Sequence, residues 1–121
     1  MGKDGHTASL FPGHAACHES RRWVVAVTNA PKPPPIRITM TLPLINNARN
    51  VAVVASGPGK RHVLSQAWLP EETPADLPIQ QVAPLNGELQ WFVDQAAAPS
   101  RGTKPHNRIQ SNDVEYEKKN A

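Results

Sequence analysis

The chain has 121 residues, 39% of them hydrophobic, with 13 prolines and a formal net charge of +3. That is room for one small domain with a modest core, and a mean hydropathy of -0.48 points to long irregular stretches beside it. One cysteine, Cys17, excludes an internal disulfide framework and suits a reducing compartment. No apolar run reaches the length of a membrane span, and the start carries neither a secretory apolar stretch nor an Arg-rich transit pattern, so the chain reads as cytoplasmic. Despite a pI near 9.4, the basic residues are scattered without interleaved aromatics, which argues against nucleic acid and for a small anionic ligand.

Residues 1–22 are polar with one apolar pair, Leu10-Phe11, and read as a loop running into a short helix. Trp23–Thr28 is β-branched and aromatic, a strand bounded by Asn29 and Pro31. Pro31–Pro35 predicts extended polyproline II, because each proline fixes its own φ and restricts its predecessor. Ile36–Thr41 alternates at period two, a strand, and a helix is expected through Pro43–Ala48 with the proline in its first turn. Asn50–Ala55 is a continuous apolar run ending at Ser56-Gly57-Pro58-Gly59, the pattern of a strand buried on both faces of a parallel sheet.

Lys60–Trp68 carries Val63, Leu64 and Ala67 at helical spacing, and Pro70–Pro78 reads as an acidic, proline-rich loop. Ile79–Val82 could form a short strand. Asn86 would cap a helix with Leu89, Phe92, Val93 and Ala96 on its apolar face. From Pro99 the apolar periodicity ends, which predicts a disordered tail over 99–121. Strands alternating with helices give an α/β class, with too few elements for a complete doubly wound sheet.

Four ordered blocks resemble the 6-phosphogluconolactonase family. The first is Asp4-Gly5-His6-Thr7-Ala8-Ser9-Leu10-Phe11-Pro12-Gly13, similar to the family's signature segment. Pro31–Pro43 and Val53-Val54-Ala55-Ser56-Gly57-Pro58-Gly59-Lys60 come next, and Asn86–Ala97 resembles the closing helix. Sibling hexosamine-phosphate deaminases share Asp-Gly-His, but the Thr-Ala-Ser-Leu-Phe-Pro continuation points to the lactonase branch.

The resemblance covers about residues 1–98 and implies the carboxyl-terminal half of a family domain, a partial Rossmann-like parallel sheet with flanking helices. The family's earlier strands and its Gly-Gly-Ser phosphate-binding turn have no counterpart in this sequence, so a missing amino-terminal half is expected to complete the sheet. The implied activity is hydrolysis of 6-phospho-D-glucono-1,5-lactone to 6-phosphogluconate in the oxidative pentose phosphate pathway, without metal or cofactor.

Opening a lactone requires a water activated for attack on the ester carbonyl and a proton for the departing ring oxygen. Histidine suits both steps because its pKa lies near the operating pH. The resemblance gives His6 this role, with Asp4 as supporting carboxylate, while Arg37 and Lys60 match positions that face the sugar phosphate. Lys32, in its proline frame, is a further candidate for the cleft. His14, Cys17 and His18 do not have a zinc spacing, and Cys17 has no neighbour to activate it as a nucleophile. The Pro-x-x-Pro pattern reads as a rigid connector before a peptide ligand.

Overall fold

The computed structural model describes residues 1–69 and 77–100. The proline-rich loop expected at Pro70–Pro78 falls largely outside them, as does the tail from 101 onward. Strand β1 (Val24–Val27) pairs antiparallel with β2 (Arg37–Met40), Val24 opposite Met40 and Val27 opposite Arg37. Helix α1 (Leu42–Ile45) leads to β3 (Asn50–Ala55), and α2 (Arg61–Ala67) comes after a 3₁₀ turn at Pro58–Lys60. Strand β4 (Glu88–Val93) lies parallel to β3, in register from Asn50–Glu88 to Ala55–Val93. The fold is therefore α/β with a parallel pair, as expected, plus a separate antiparallel ribbon.

Four sequence expectations are corrected. The helix over Asn86–Ala96 is instead β4. Its governing period is two: Leu89 is buried, Gln90 exposed, Trp91 half-buried and Phe92 exposed, and Trp, Phe and Val suit a pleated surface. Asn86-Gly87 is the entry to that strand, since Gly87 lies so close to the carbonyls of Ala48 and Arg49 that a Cβ would collide with them. This approach lets the Glu88 N–H donate to Arg49 O at 2.9 Å, which starts the ladder.

The strand expected at Ile79–Val82 is a 3₁₀ turn, Pro78–Gln81. Pro78 has no N–H for a ladder, and the Gln80 side chain accepts from Leu77 N instead. Nor is Pro31–Pro35 a straight polyproline rod. It bends back so that Ala30 N donates to Pro35 O at 3.0 Å, and the Pro33–Pro34 peptide is cis. Finally, β3 is not buried on both faces. Val53 and Ala55 face the core, but Val54 is 64% exposed and opposite Phe92, itself 48% exposed.

One cluster of buried side chains joins Leu10, Cys17, Leu42, Val53, Ile79, Val82 and Leu89. A second joins Ala55, Leu64 and Ala97, with Met1, Trp68, Trp91 and Val93 packed around it. Leu10 matters most for positioning residues 4–11, because it ties the polar amino-terminal segment to the sheet. Burying a leucine of this kind contributes roughly 2 kcal/mol or more.

Candidate active site

The segment 4–11 is a tight loop held from three sides. Gly5 adopts φ +80° and Ala8 φ +48°, left-handed conformations that turn the chain within a few residues. Ser9 N donates to the Thr39 hydroxyl on β2 at 2.9 Å, and Ile79 N donates to Gly5 O at 3.2 Å. The Cys17 thiol donates to Phe11 O at 3.0 Å, and burial pushes this thiol's pKa up. A buried, protonated thiol engaged in this way is a structural donor, not a nucleophile.

On this frame His6 Nδ1 meets Asp4 Oδ1 at 2.5 Å, and the same oxygen accepts from His6 N at 3.2 Å. A carboxylate only accepts, so Nδ1 carries the hydrogen and the neutral ring presents Nε2 as its basic nitrogen. Asp4 Oδ2 lies 3.3 Å from Lys32 Nζ. Partial burial opposes ionisation of Asp4, yet hydrogen bonds from His6 and the Lys32 ammonium outweigh it and hold the carboxyl at about 2.

That depression sets a pH dependence. A carboxyl whose folded pKa lies below its unfolded value near 4 stabilises the fold above that value, and the contribution fades as pH falls towards about 2. Glu19, held at about 2 by hydrogen bonds from Arg22 and Arg21, acts in the same window. Unfolding midpoints measured from pH 5 to pH 2 should fall, and Asp4→Asn should flatten part of that fall. An unchanged slope in the variant would contradict the pairing.

Phe11 is fully buried and serves as a floor. The His6 ring lies 4.7 Å from its centroid at a 36° tilt, and the Arg37 guanidinium carbon lies 5.3 Å from the same centroid. Arg37 Nε donates to Pro34 O, and Nη2 to Lys32 O and Pro33 O, at 2.9–3.0 Å. Much of the arginine thus braces the bent proline segment that carries Lys32, leaving Nη1 as its unengaged nitrogen among the described residues. The family resemblance places Arg37 facing the sugar phosphate; the bracing of the proline segment is a further contact.

His6 and Arg37 therefore share the Phe11 ring, and Asp4 and Lys32 join them through the His6–Asp4–Lys32 contacts. Lys60 is tied to the amino-terminal segment, its Nζ donating to Met1 O at 2.5 Å. The neighbouring Gly2 lies so close to the His6 ring and the Asp4 carboxylate that a Cβ would collide with them. Sequence reasoning missed Phe11 and Gly2, both legible only once the loop is closed. Among the described residues no three His, Cys, Asp or Glu side chains converge as metal ligands.

No helix among the described residues is long and apolar enough to cross a membrane. Residues 1–91 match the family model described as glucosamine-6-phosphate isomerases/6-phosphogluconolactonase. The 6-phosphogluconolactonase of Rattus norvegicus is 47% identical over 98 residues, 81% of this chain and 37% of the relative. A probable 6-phosphogluconolactonase 2 of Oryza sativa subsp. indica is 44% identical over 104 residues, 83% of this chain and 37% of that protein. Among solved structures, the 6-phosphogluconolactonase from Trypanosoma brucei superposes with a TM-score of 0.68 at 30% identity, over 80% of this chain and 38% of that one. The chain thus spans well under half the length of the relatives it matches. It belongs to the family of glucosamine-6-phosphate isomerases and 6-phosphogluconolactonases.

Proposed function

We propose that residues 1–98 are the carboxyl-terminal half of a 6-phosphogluconolactonase domain, and that His6 is its general base. The observation that carries this reading is the 2.5 Å contact between His6 Nδ1 and Asp4, which leaves Nε2 able to take a proton. Nε2 removes a proton from water as the water oxygen bonds to the lactone carbonyl carbon. The resulting imidazolium, steadied by the ionised Asp4, then gives that proton to the ring oxygen as the ester bond breaks. Lys32, Arg37 and Lys60 supply cations for the substrate's phosphate and for charge developing on the carbonyl oxygen. The step balances without a metal: water and lactone become 6-phosphogluconate, as in the oxidative pentose phosphate pathway.

Exposed apolar surface favours a requirement for more protein. β4 is the sole partner of β3 among the described residues, Val54 and Phe92 are open on one face, and Ile38 on β2 is 78% exposed. Apolar sheet surface of this kind invites a covering partner. In our reading the part of the relatives that this chain does not span covers it and completes the phosphate site. The cytoplasm is the compartment we assign, in keeping with the free thiol of Cys17.

The test is a lactonase assay on the 121-residue chain, alone and fused to the amino-terminal portion of the rat relative. The chain alone should hydrolyse the lactone no faster than buffer, and the fusion should turn it over. Full turnover by the chain alone would contradict the need for completion, and a silent fusion would contradict the lactonase reading. Ammonia release from glucosamine 6-phosphate by the fusion would instead favour the isomerase branch, against which the Thr7–Pro12 continuation argues.

A further inference from the structure

Two parallel strands end side by side at Ala55 and Val93, and the carboxyl ends of such strands are where open α/β sheets bind ligands. The chain leaving β3 turns at Gly57, whose φ of +84° suits glycine and strains any other residue. The carboxylate of Asp94, the first residue after β4, grips this turn. Gly57 N donates to both of its oxygens, at 3.1 Å and 3.0 Å, and Ala97 N donates to Oδ1 at 2.8 Å. Arg61 Nε adds a second tie across the same gap, to Ala96 O at 3.2 Å.

We propose that Asp94 is a positioning residue for Lys60, acting through the Gly57 turn. Gly57 is a pivot whose N–H is held by Asp94 and whose carbonyl accepts from Lys60 N at 3.1 Å. Both peptide groups of the pivot are thereby fixed, and with them the direction in which Lys60 leaves the turn. That direction takes Nζ to Met1 O, beside the Gly2 that abuts the His6 ring. The same grip has a chemical consequence. An aspartate already occupies the Gly57 N–H, so an anionic ligand at this turn is met by the lysine side chain, not by that amide.

This inference rests on the lactonase reading and deepens it, so the test separates the two. In the fused enzyme, Asp94→Ala should raise KM for the lactone about tenfold with kcat within about twofold, the split expected when a binding group is misplaced. Asp94→Asn, whose amide oxygen can still accept from both N–H groups, should recover KM to within about threefold of the parent.

Lys60→Met should raise KM by a similar factor, and Asp94→Ala added to it should do little more, since the aspartate works through the lysine. Thermal midpoints of all variants give the control for global damage. Should Asp94→Ala fail to fold, the comparison of Asp94→Asn with and without Lys60→Met decides: any KM penalty of the asparagine must vanish in the Lys60→Met background, and a penalty that persists overturns the proposal. Multiplying penalties, or a loss in kcat at constant KM, overturn it as well. If Lys60→Met raises KM while Asp94→Ala does not, the lactonase reading stands and Asp94 is merely a fastener. If Lys60→Met leaves KM unmoved, both the phosphate role of Lys60 and its positioning by Asp94 fall.

Discussion

Replacing His6 by alanine should slow lactone hydrolysis by the fused enzyme about 10²–10⁴-fold, the range that a positioned general base supplies. The loss should fall on kcat, because in the proposed role the imidazole acts on water and on the ring oxygen rather than on the phosphate. His6→Gln restores a polar side chain of similar reach but no titratable nitrogen, and should be nearly as slow. Asp4→Asn should lie between the parent and these variants, since it removes the charge that steadies the imidazolium and sets an NH2 group in competition with the oxygen that holds the Nδ1–H tautomer, while leaving the ring in place. A His6→Ala enzyme within threefold of the parent would remove His6 from the reaction.

The largest expected effect on stability belongs to Phe11. Its ring is fully buried, with His6 on it at 4.7 Å and His14 at 5.8 Å, and its carbonyl takes the Cys17 thiol. Truncating such a phenylalanine to alanine costs about 3–5 kcal/mol, a large share of the ~5–15 kcal/mol that holds an ordinary small domain together. Phe11→Ala should therefore unfold at far lower denaturant or temperature, and Phe11→Leu should recover part of the loss. The leucine variant fills the cavity but gives His6 and Arg37 no aromatic face, so its activity should remain low when its stability returns. A cost below about 1 kcal/mol for Phe11→Ala would mean that the floor beneath the site is not a floor.

The sequence makes β1 legible through its β-branched and aromatic residues, β2 through alternation at period two, and β3 through a continuous apolar run that ends at Ser56-Gly57-Pro58-Gly59. Val63, Leu64 and Ala67 likewise revealed α2 through their spacing. The misreading of β4 has a physical origin: Leu89, Phe92, Val93 and Ala96 fit a helical stripe, while Leu89 and Trp91 on the inner face fit a strand, and only the pairing with β3 decides between them. For Pro78–Gln81 the missing N–H of Pro78 is a local sign against a ladder, and the hydrogen bond from Ile79 N to Gly5 O is a non-local tie that the sequence does not display.

The candidate site shows the same division. Asp4 and His6 lie two residues apart, so the motif could announce their pairing. Lys32 reaches Asp4 through a bend at Pro31–Pro35 that no rule for polyproline segments contains, and Arg37 braces that bend. In the sequence Phe11 is one half of an apolar pair; in the fold it is the surface that the His6 ring and the Arg37 guanidinium share. Asp94, within a stretch that read as a helix, gave no sign that it grips a turn 37 positions earlier.

Nitrogen NMR of the fused enzyme labelled in its histidine rings tests the role of His6 most directly. The expected spectrum has His6 as the Nδ1–H tautomer in its neutral form, with the Nε2 resonance shifting when 6-phosphogluconate is added. An Nε2–H tautomer, or a His6 ring indifferent to saturating 6-phosphogluconate, would contradict that role.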